Sequence, residues 1–100
     1  MAAYFILDTE VRDPAGYAEY VKAGSPSVQQ YGGKYIARGA KVEVLEGDWQ
    51  PNRIVVIEFP SFDQAKRWYN SPEYQAALSG RLRSAVSKAI IIEGYNPYSP

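Results

Sequence analysis

The segment Arg53–Phe59 (RIVVIEF) constrains the fold more than any other part of the chain. Apart from its arginine and one glutamate it is apolar and mostly β-branched, which is typical of a strand covered on both faces. Pro60 ends this strand, and Ser61 with Gln64 has the spacing of a helix capping box. The glutamate, Glu58, must reach solvent, a partner or a ligand, because burying an unpaired carboxylate is unfavourable. The segment therefore predicts a central strand and makes Glu58 the first candidate functional residue.

Hydrophobic periodicity and capping residues predict the other elements. Further strands are expected over Tyr4–Val11, Lys34–Arg38 and Lys88–Tyr95, and helices from Asp13 and Pro14 to Gln30, from Ser61 to Tyr69 and from Ser71 to about Val86. Pro26 should kink or divide the first helix, because proline has no N–H group to donate. Gly32 or Gly33 should supply the left-handed residue that follows this helix. The polar segment Gly39–Pro51 is predicted to form an extended arm or a hairpin.

The order strand, helix, strand, strand, helix, strand is the ferredoxin-like arrangement of two split βαβ units. Right-handed crossovers place the helices on one face of a four-stranded antiparallel sheet, with strands one and three at its centre. The other face of the sheet then has no cover within one copy of the chain. We therefore expect an α+β domain over residues 1–100 that pairs with a second copy as a dimeric α+β barrel.

The charge balance narrows the range of partners. There are 11 acidic and 11 basic residues, and a formal charge of zero argues against nucleic acid or an anionic membrane as the main partner. No apolar run reaches about 18 residues, so no membrane span is predicted. The N-terminal sequence lacks the basic start and small-residue cleavage site of a signal peptide, and we expect a cytoplasmic protein.

Cysteine and histidine are both absent from the sequence. Disulfides, thiolate nucleophiles and zinc fingers are therefore excluded, as are histidine-ligated haem and a Ser-His-Asp triad. No metal or cofactor is predicted. Any acid–base chemistry must come from Asp, Glu, Tyr, Lys or Arg.

Strand alternation predicts a charged cluster on the uncovered face of the sheet. Side chains of a strand point to alternate faces, so Glu58 lies opposite the apolar set that suits the helices. Similar sorting places Asp8 and Arg38 on the same face as Glu58, one on either side of it. Glu58 or Asp8 would then be a general base, and Arg38 would anchor an anionic or carbonyl-bearing substrate. The alternative is a salt-bridge cluster that fixes the register of a dimer.

The residues around the break between the last two helices are further candidates. Trp68, Tyr69 and Ser71 join Arg38 as predicted substrate-binding positions. Tyr69 would donate a hydrogen bond at a pocket mouth, whereas Trp68 is better explained as a core or interface aromatic. Arg81 in the last helix belongs to a solvated face or turns back toward the helix junction.

Four segments together resemble one known family. The segments 31–39 (YGGKYIARG), 45–49 (LEGDW), 53–61 (RIVVIEFPS) and 68–74 (WYNSPEY) are similar to the bacterial family called domain of unknown function 1330. The resemblance implies a dimeric α+β barrel, a superfamily that includes cofactor-free monooxygenases, haem-degrading enzymes, lactone isomerases and small-ligand binders. The resemblance implies no particular reaction. Superfamily members that use a catalytic histidine are not a model for the chemistry of this chain, which contains no histidine. Positions of interest in the family pattern are Arg38, Glu58, Trp68, Tyr69 and Ser71.

Three functions are compatible with the sequence. The first is a cytoplasmic homodimer that binds a small anionic or carbonyl-bearing organic molecule, with cofactor-free proton transfer or oxygenation as the chemistry if it is an enzyme. The second is a non-catalytic small-ligand-binding or stress-related accessory protein. The third is a structural dimer module in which the arm Gly39–Pro51 clasps the other subunit.

Overall fold

The computed structural model describes residues 1–98. Its elements are β1 (Ala3–Val11), α1 (Pro14–Gln30), β2 (Lys34–Arg38), β3 (Arg53–Phe59), α2 (Phe62–Tyr69), α3 (Pro72–Ser84) and β4 (Ala85–Glu93). The predicted irregular tail lies partly outside this part of the chain, since Ser99 and Pro100 are not described. None of the helices in residues 1–98 is both long enough and apolar enough to span a membrane.

The strands form one four-stranded sheet in the order β2-β3-β1-β4. Every neighbouring pair is antiparallel, and β1 and β3 are central as predicted. The α+β, ferredoxin-like arrangement is therefore confirmed. The last strand begins at Ala85 rather than Lys88 and ends at Glu93 rather than Tyr95, because β4 pairs with β1 along the whole length of that strand.

One face of the sheet packs on the helices and contains the core. Burial alternates along β1 and β3, so that Phe5, Leu7, Val55, Ile57 and Phe59 are buried on the helix side. Trp68 on α2 is fully buried against them, with its ring centre 5.0 Å from Phe5, 5.1 Å from Phe59 and 4.1 Å from Tyr74. These aromatic contacts attach α2 and α3 to the sheet.

Helix α1 runs through Pro26 without a break, so this proline does not divide the helix, which was one of its two predicted effects. The residues on both sides of Pro26 are anchored in the protein interior. Gly24 lies against α3, and Ser27 and Val28 are buried. These contacts outweigh the single backbone hydrogen bond that proline removes. The helix ends as predicted, with Gly32 at a positive φ of 80°.

The short helices begin at side-chain caps. Ser61 Oγ accepts a hydrogen bond from the backbone N–H of Gln64 at 3.0 Å, which confirms the predicted capping position. Ser71 Oγ accepts from the N–H of Tyr74 at 3.1 Å and donates to the carbonyl of Trp68 at 2.7 Å. Ser71 therefore joins the end of α2 to the start of α3.

The segment between β2 and β3 is an exposed arm without regular structure. Gly39 opens it at a positive φ of 64°, and the Arg53 side chain packs where a Cβ atom of residue 39 would lie. Leu45 in the arm is 84% exposed and Trp49 is 61% exposed. With extents of 45 × 37 × 17 Å the molecule is a flat slab, and the sheet face opposite the helices stays open.

Candidate functional site

The predicted cluster of Asp8, Arg38 and Glu58 does not form. Asp8 and Glu58 do share the open face of the sheet, as expected. However, Glu58 pairs with Tyr4 on β1 and with Lys34 on β2. Asp8 lies four positions further along β1, which separates the two carboxylates by about 13 Å at about 3.3 Å per residue.

Arg38 lies on the helix-covered face, so its predicted placement beside Glu58 is wrong. The register of β2 against β3 shifts between Tyr35 and Ala37, where a β-bulge inserts one residue. After the bulge Arg38 pairs with Val55, whose side chain is buried against the helices. Because side chains alternate, one inserted residue moves every later side chain of β2 to the other face.

The bulge places Arg38 at the inner edge of a groove between α1 and β2. Its Nη2 donates to Ser25 Oγ at 3.2 Å, and its guanidinium carbon lies 4.3 Å from the centre of the Tyr35 ring. The groove has a volume of about 680 Å³, and its lining includes Lys22 and Lys34 as well as Arg38. Among the described residues that line it there is no Asp or Glu. We call this site the basic groove.

Beside Arg38 lies a small, partly enclosed space, which we call the tyrosine chamber. Its volume is about 20 Å³, which is room for about one water molecule. Four tyrosines and two arginines stand out in its lining, namely Tyr17, Tyr20, Tyr35, Tyr74, Arg38 and Arg53. The basic groove and the chamber share Val21, Ser25, Tyr35 and Arg38. Arg38 therefore stands between the two spaces.

Arg53 is half-buried in this region and has no carboxylate partner in residues 1–98. Its guanidinium carbon lies 5.6 Å from the centre of the Tyr17 ring, and its Nε is buried with no hydrogen-bond partner in residues 1–98. Within the same residues the ion pair that forms is Arg12 with Glu10, at the surface. An anion that reached the chamber would thus meet a guanidinium group with an unused donor.

A second polar group adjoins the chamber. The hydroxyl oxygens of Tyr20 and Tyr74 are 2.8 Å apart, and Nη2 of the buried Arg81 donates to Tyr74 at the long distance of 3.4 Å. Burial, with a smaller contribution from Tyr74, raises the pKa of Tyr20, and burial likewise raises the pKa of Tyr74. Both phenols therefore stay protonated and act as hydrogen-bond donors and acceptors.

The remaining predicted residues lie away from the basic groove. Trp68 is a core residue whose Nε1 donates to Ser27 Oγ at 3.0 Å. Ser71 is the helix cap described above. Tyr69 is half-buried beside a separate surface cavity of about 420 Å³ that also includes Phe62 and Lys66. The structure thus brings none of these three to Arg38.

The open face carries its own cavity, between the sheet and the arm. It has a volume of about 760 Å³ and a mostly apolar lining. Asp8 contributes a carboxylate that accepts hydrogen bonds from Trp49 Nε1 at 3.3 Å and from the backbone N–H of Asn52 at 3.0 Å. We call this the open-face cavity. In the part of the chain that the structure describes, no three acidic side chains converge to hold a metal ion.

Two residues of this region, Arg53 and Tyr35, were not among the site residues predicted from the sequence. Arg53 lies two positions before Val55 in β3, so strand alternation could have placed its side chain on the helix-covered face. Tyr35 and Arg38 meet only because of the bulge, and the local sequence carries no clear signal for it. Arg81 turned out to be buried at the helix junction, which was one of its two expected positions.

Solved structures share this fold. A protein of unknown function from Rhodopseudomonas palustris, RPA0582, has a TM-score of 0.74 and 23% identity, over 96% of this chain and 84% of that one. A dimeric ferredoxin-like protein of unknown function from Thermobifida fusca has a TM-score of 0.65 and 20% identity, over 94% and 92% of the two chains. SnoaB, a cofactor-independent oxygenase from Streptomyces nogalater, has a TM-score of 0.65 and 13% identity, over 99% and 98%.

The sequence comparisons identify a family. No curated protein has a sequence that matches this chain significantly. The model of one domain family, in contrast, matches residues 2–95, which is nearly the whole chain and agrees with the resemblance carried by the four sequence segments. The protein belongs to the family described as domain of unknown function 1330.

Proposed function

We propose that this protein binds a small organic anion in the basic groove. The observation that carries the proposal is the presence of Arg38 and Arg53 beside a tyrosine-lined chamber with no carboxylate among its described lining residues. Arg53 is half-buried, and it forms no ion pair within residues 1–98. A guanidinium in such a position normally has an anionic partner, because removing an unpaired charge from water is unfavourable. The bound molecule would supply the missing negative charge.

The geometry around Arg38 favours a carboxylate as the anionic group. Arginine presents a planar fork of donors that matches the two oxygens of a carboxylate. Arg38 is exposed and held only by Ser25 Oγ and the Tyr35 ring, so its fork is free to turn toward a ligand. Lys22 and Lys34 add positive charge along the groove and would attract the anion before it binds.

Binding without chemistry is the better-supported activity for this site. The described lining of the groove and chamber offers no carboxylate base. Burial raises the pKa values of Tyr20 and Tyr74, so these two phenols stay protonated at neutral pH and are poor bases. The similarity to SnoaB supports the fold and carries no reaction with it. Of the three functions compatible with the sequence, a non-catalytic ligand-binding protein is the one that the basic groove supports best.

A second candidate is proton transfer in the open-face cavity. Asp8 directs its carboxylate into an apolar space large enough for a small organic molecule, and two donors hold it in place. Asp8 would be the base, with Glu58 further along the same face. Replacement of Asp8 by Asn should then abolish exchange of the acidic protons of a bound carbonyl compound, whereas unchanged exchange would remove this candidate.

We also propose that a second copy of the chain covers the open face. That face presents Ile6, Ile54 and Val56 half-buried, with Ile90 58% exposed and Ile92 50% exposed. The exposed arm, in which Leu45 is 84% exposed, would lie against the other copy, as in the third alternative from the sequence. The similar protein from Thermobifida fusca is described as dimeric.

Native mass spectrometry of freshly purified protein, followed by calorimetric titration with small carboxylic acids, tests the proposed function. We expect a dimer and saturable binding of at least one acid, lost in Arg38→Ala and kept in Arg67→Ala. Arg67 is the matched control because it is an exposed arginine on α2. Equal binding by both variants would contradict the proposal.

A further inference from the structure

The Tyr20–Tyr74 pair contains one hydroxyl hydrogen without a protein acceptor. Tyr20 and Tyr74 have two phenolic hydrogens between them, and their single contact at 2.8 Å uses one. Arg81 is a donor and cannot accept either of them. Within residues 1–98 neither hydroxyl has a hydrogen-bond acceptor other than the hydroxyl of the other tyrosine. One hydrogen is therefore left over, whichever tyrosine donates to the other.

Arg81 increases the donor strength of this pair. The residue is 3% exposed, and its Nε is buried without a partner in the described chain. Its guanidinium also lies 5.6 Å from the centre of the Tyr20 ring. A positive charge that donates to Tyr74 draws electron density from that oxygen and strengthens the next hydrogen bond in the series. Arg81 is thus a positioning residue that acts through the two tyrosines.

Residues that line the chamber carry hydrogen-bond donors without a protein acceptor. Both tyrosine rings line it, and so does Arg53, whose buried Nε has no partner in residues 1–98. Unsatisfied buried donors are unfavourable, so the chamber favours a guest that brings acceptor oxygens. With a volume of about 20 Å³, the chamber accepts a group no larger than about one water molecule. A single carbonyl oxygen meets both conditions.

We infer that the chamber is a second subsite that receives a carbonyl oxygen of the ligand, so that the protein prefers oxo acids to plain carboxylic acids. The carboxylate lies in the basic groove on Arg38, and the adjacent carbonyl oxygen points inward to the Tyr20–Tyr74 pair and Arg53. The inference rests on the proposed function, because it assumes that an organic acid binds in the groove. It requires Arg38 to move off the Tyr35 ring, which its exposure and its single hydrogen bond allow.

Two probes that differ by one carbonyl test this preference. Phenylpyruvate and 3-phenylpropanoate have the same length and aromatic ring, and only the former has a 2-oxo group. Calorimetric titration of the unmodified protein should give about tenfold tighter binding of phenylpyruvate, the effect of one to two additional hydrogen bonds. The Tyr20→Phe/Tyr74→Phe variant should lose most of this preference, because Arg53 alone then remains to donate to the carbonyl oxygen.

The possible results separate the inference from the proposed function. Equal, measurable affinity of the unmodified protein for both acids would overturn the inference and leave the proposed function intact. No binding of either acid would overturn both. A preference of undiminished size in the double variant would overturn the assignment to the tyrosines. The first two results are obtained with the unmodified protein, so they do not depend on whether the double variant folds. If the double variant does not fold, the single variant Tyr20→Phe, which keeps the buried Tyr74, takes its place.

Discussion

The Arg38 guanidinium carbon lies 4.3 Å from the centre of the Tyr35 ring, on the face of the sheet that the helices cover. The two residues are three apart in β2, so ordinary alternation would separate them. The β-bulge between Tyr35 and Ala37 brings them together. The same bulge moves Arg38 away from the face that carries Asp8 and Glu58. Arg38 therefore lines the basic groove and not the open-face cavity.

Removal of the Arg38 side chain should weaken anion binding strongly. Hydrogen bonds to a charged group contribute about 1.5–3 kcal/mol, so Arg38→Ala should raise the Kd for a bound carboxylate by about 10- to 100-fold. The free energy of unfolding should change little, because the side chain is exposed. Titration calorimetry and thermal unfolding measure the two effects. A loss of binding of the same size in Arg67→Ala would show that net charge, not this position, is responsible.

Gly39 and Gly47 are a matched pair of positions for testing whether the placement of Arg53 affects anion binding. Both have positive φ, at 64° and 85°, but a Cβ atom at position 39 would meet the Arg53 guanidinium, whereas one at position 47 would meet nothing within 4 Å. Each alanine should lose about 1 kcal/mol of stability from the backbone conformation. Gly39→Ala should in addition displace Arg53 and weaken anion binding. Chemical denaturation and calorimetry check this, and identical behaviour of the two variants would contradict it.

Trp68 is predicted to be a structural residue. Trp68→Phe should remove the Nε1 hydrogen bond to Ser27 and leave a cavity in the core. We expect the free energy of unfolding to fall by about 2–4 kcal/mol. Trp49→Phe is the control, since Trp49 is 61% exposed in the arm, and it should change stability by about 0.5 kcal/mol or less. Equal destabilisation by the two substitutions would disprove the assignment of Trp68 to the core.

Glu73 gives a pH dependence with a defined sign. Hydrogen bonding to its own backbone N–H at the start of α3, and then to the Tyr31 hydroxyl at 3.0 Å, lowers the pKa of Glu73 from its ordinary value of 4.5. A lowered pKa in the folded state means that the carboxylate stabilises the fold above pH 4.5 and loses this contribution as the pH falls through the folded-state pKa.

Glu73→Gln should therefore lower the thermal unfolding temperature at pH 7. At low pH the unfolding temperatures of the variant and of the unmodified protein should become equal. Thermal unfolding between pH 7 and pH 3 measures this. Glu46→Gln, an exposed position in the arm, should leave the profile of the unmodified protein unchanged. A difference between Glu73→Gln and the unmodified protein that grows as the pH falls would contradict the sign.

Ile90 and Leu82 distinguish the two sides of the slab. Ile90 is 58% exposed on the open face, where it pairs with Ile6, and Leu82 is 65% exposed on α3. If a second copy covers the open face, Ile90→Glu should place a charge in an apolar interface and yield monomers, while Leu82→Glu should not. Light scattering coupled to gel filtration gives the masses. A dimer that survives Ile90→Glu but not Leu82→Glu would move the interface to the helices.

The sequence predicted the architecture because its strands alternate regularly and its helices begin at recognisable caps. Val55 and Glu58 were sorted to the correct faces for that reason. Arg38 was misplaced because a bulge depends on pairing with β3, which a local pattern does not contain. Arg53 was overlooked because its role depends on Gly39 and Tyr17, both distant in sequence. The site was thus less predictable than the fold, since it rests on contacts between elements rather than within them.

A two-dimensional ¹H–¹⁵N NMR spectrum recorded during titration with 3-phenylpropanoate tests the location of the anion site most directly. The Nε–H signals of arginine and tryptophan report on three places: Arg38 in the basic groove, Trp49 at the open-face cavity and Trp68 in the core. We predict a saturable shift of the Arg38 signal, with the Trp49 and Arg67 signals unchanged. A saturable shift of Trp49 with Arg38 unchanged would place the ligand beside Asp8 and contradict the account.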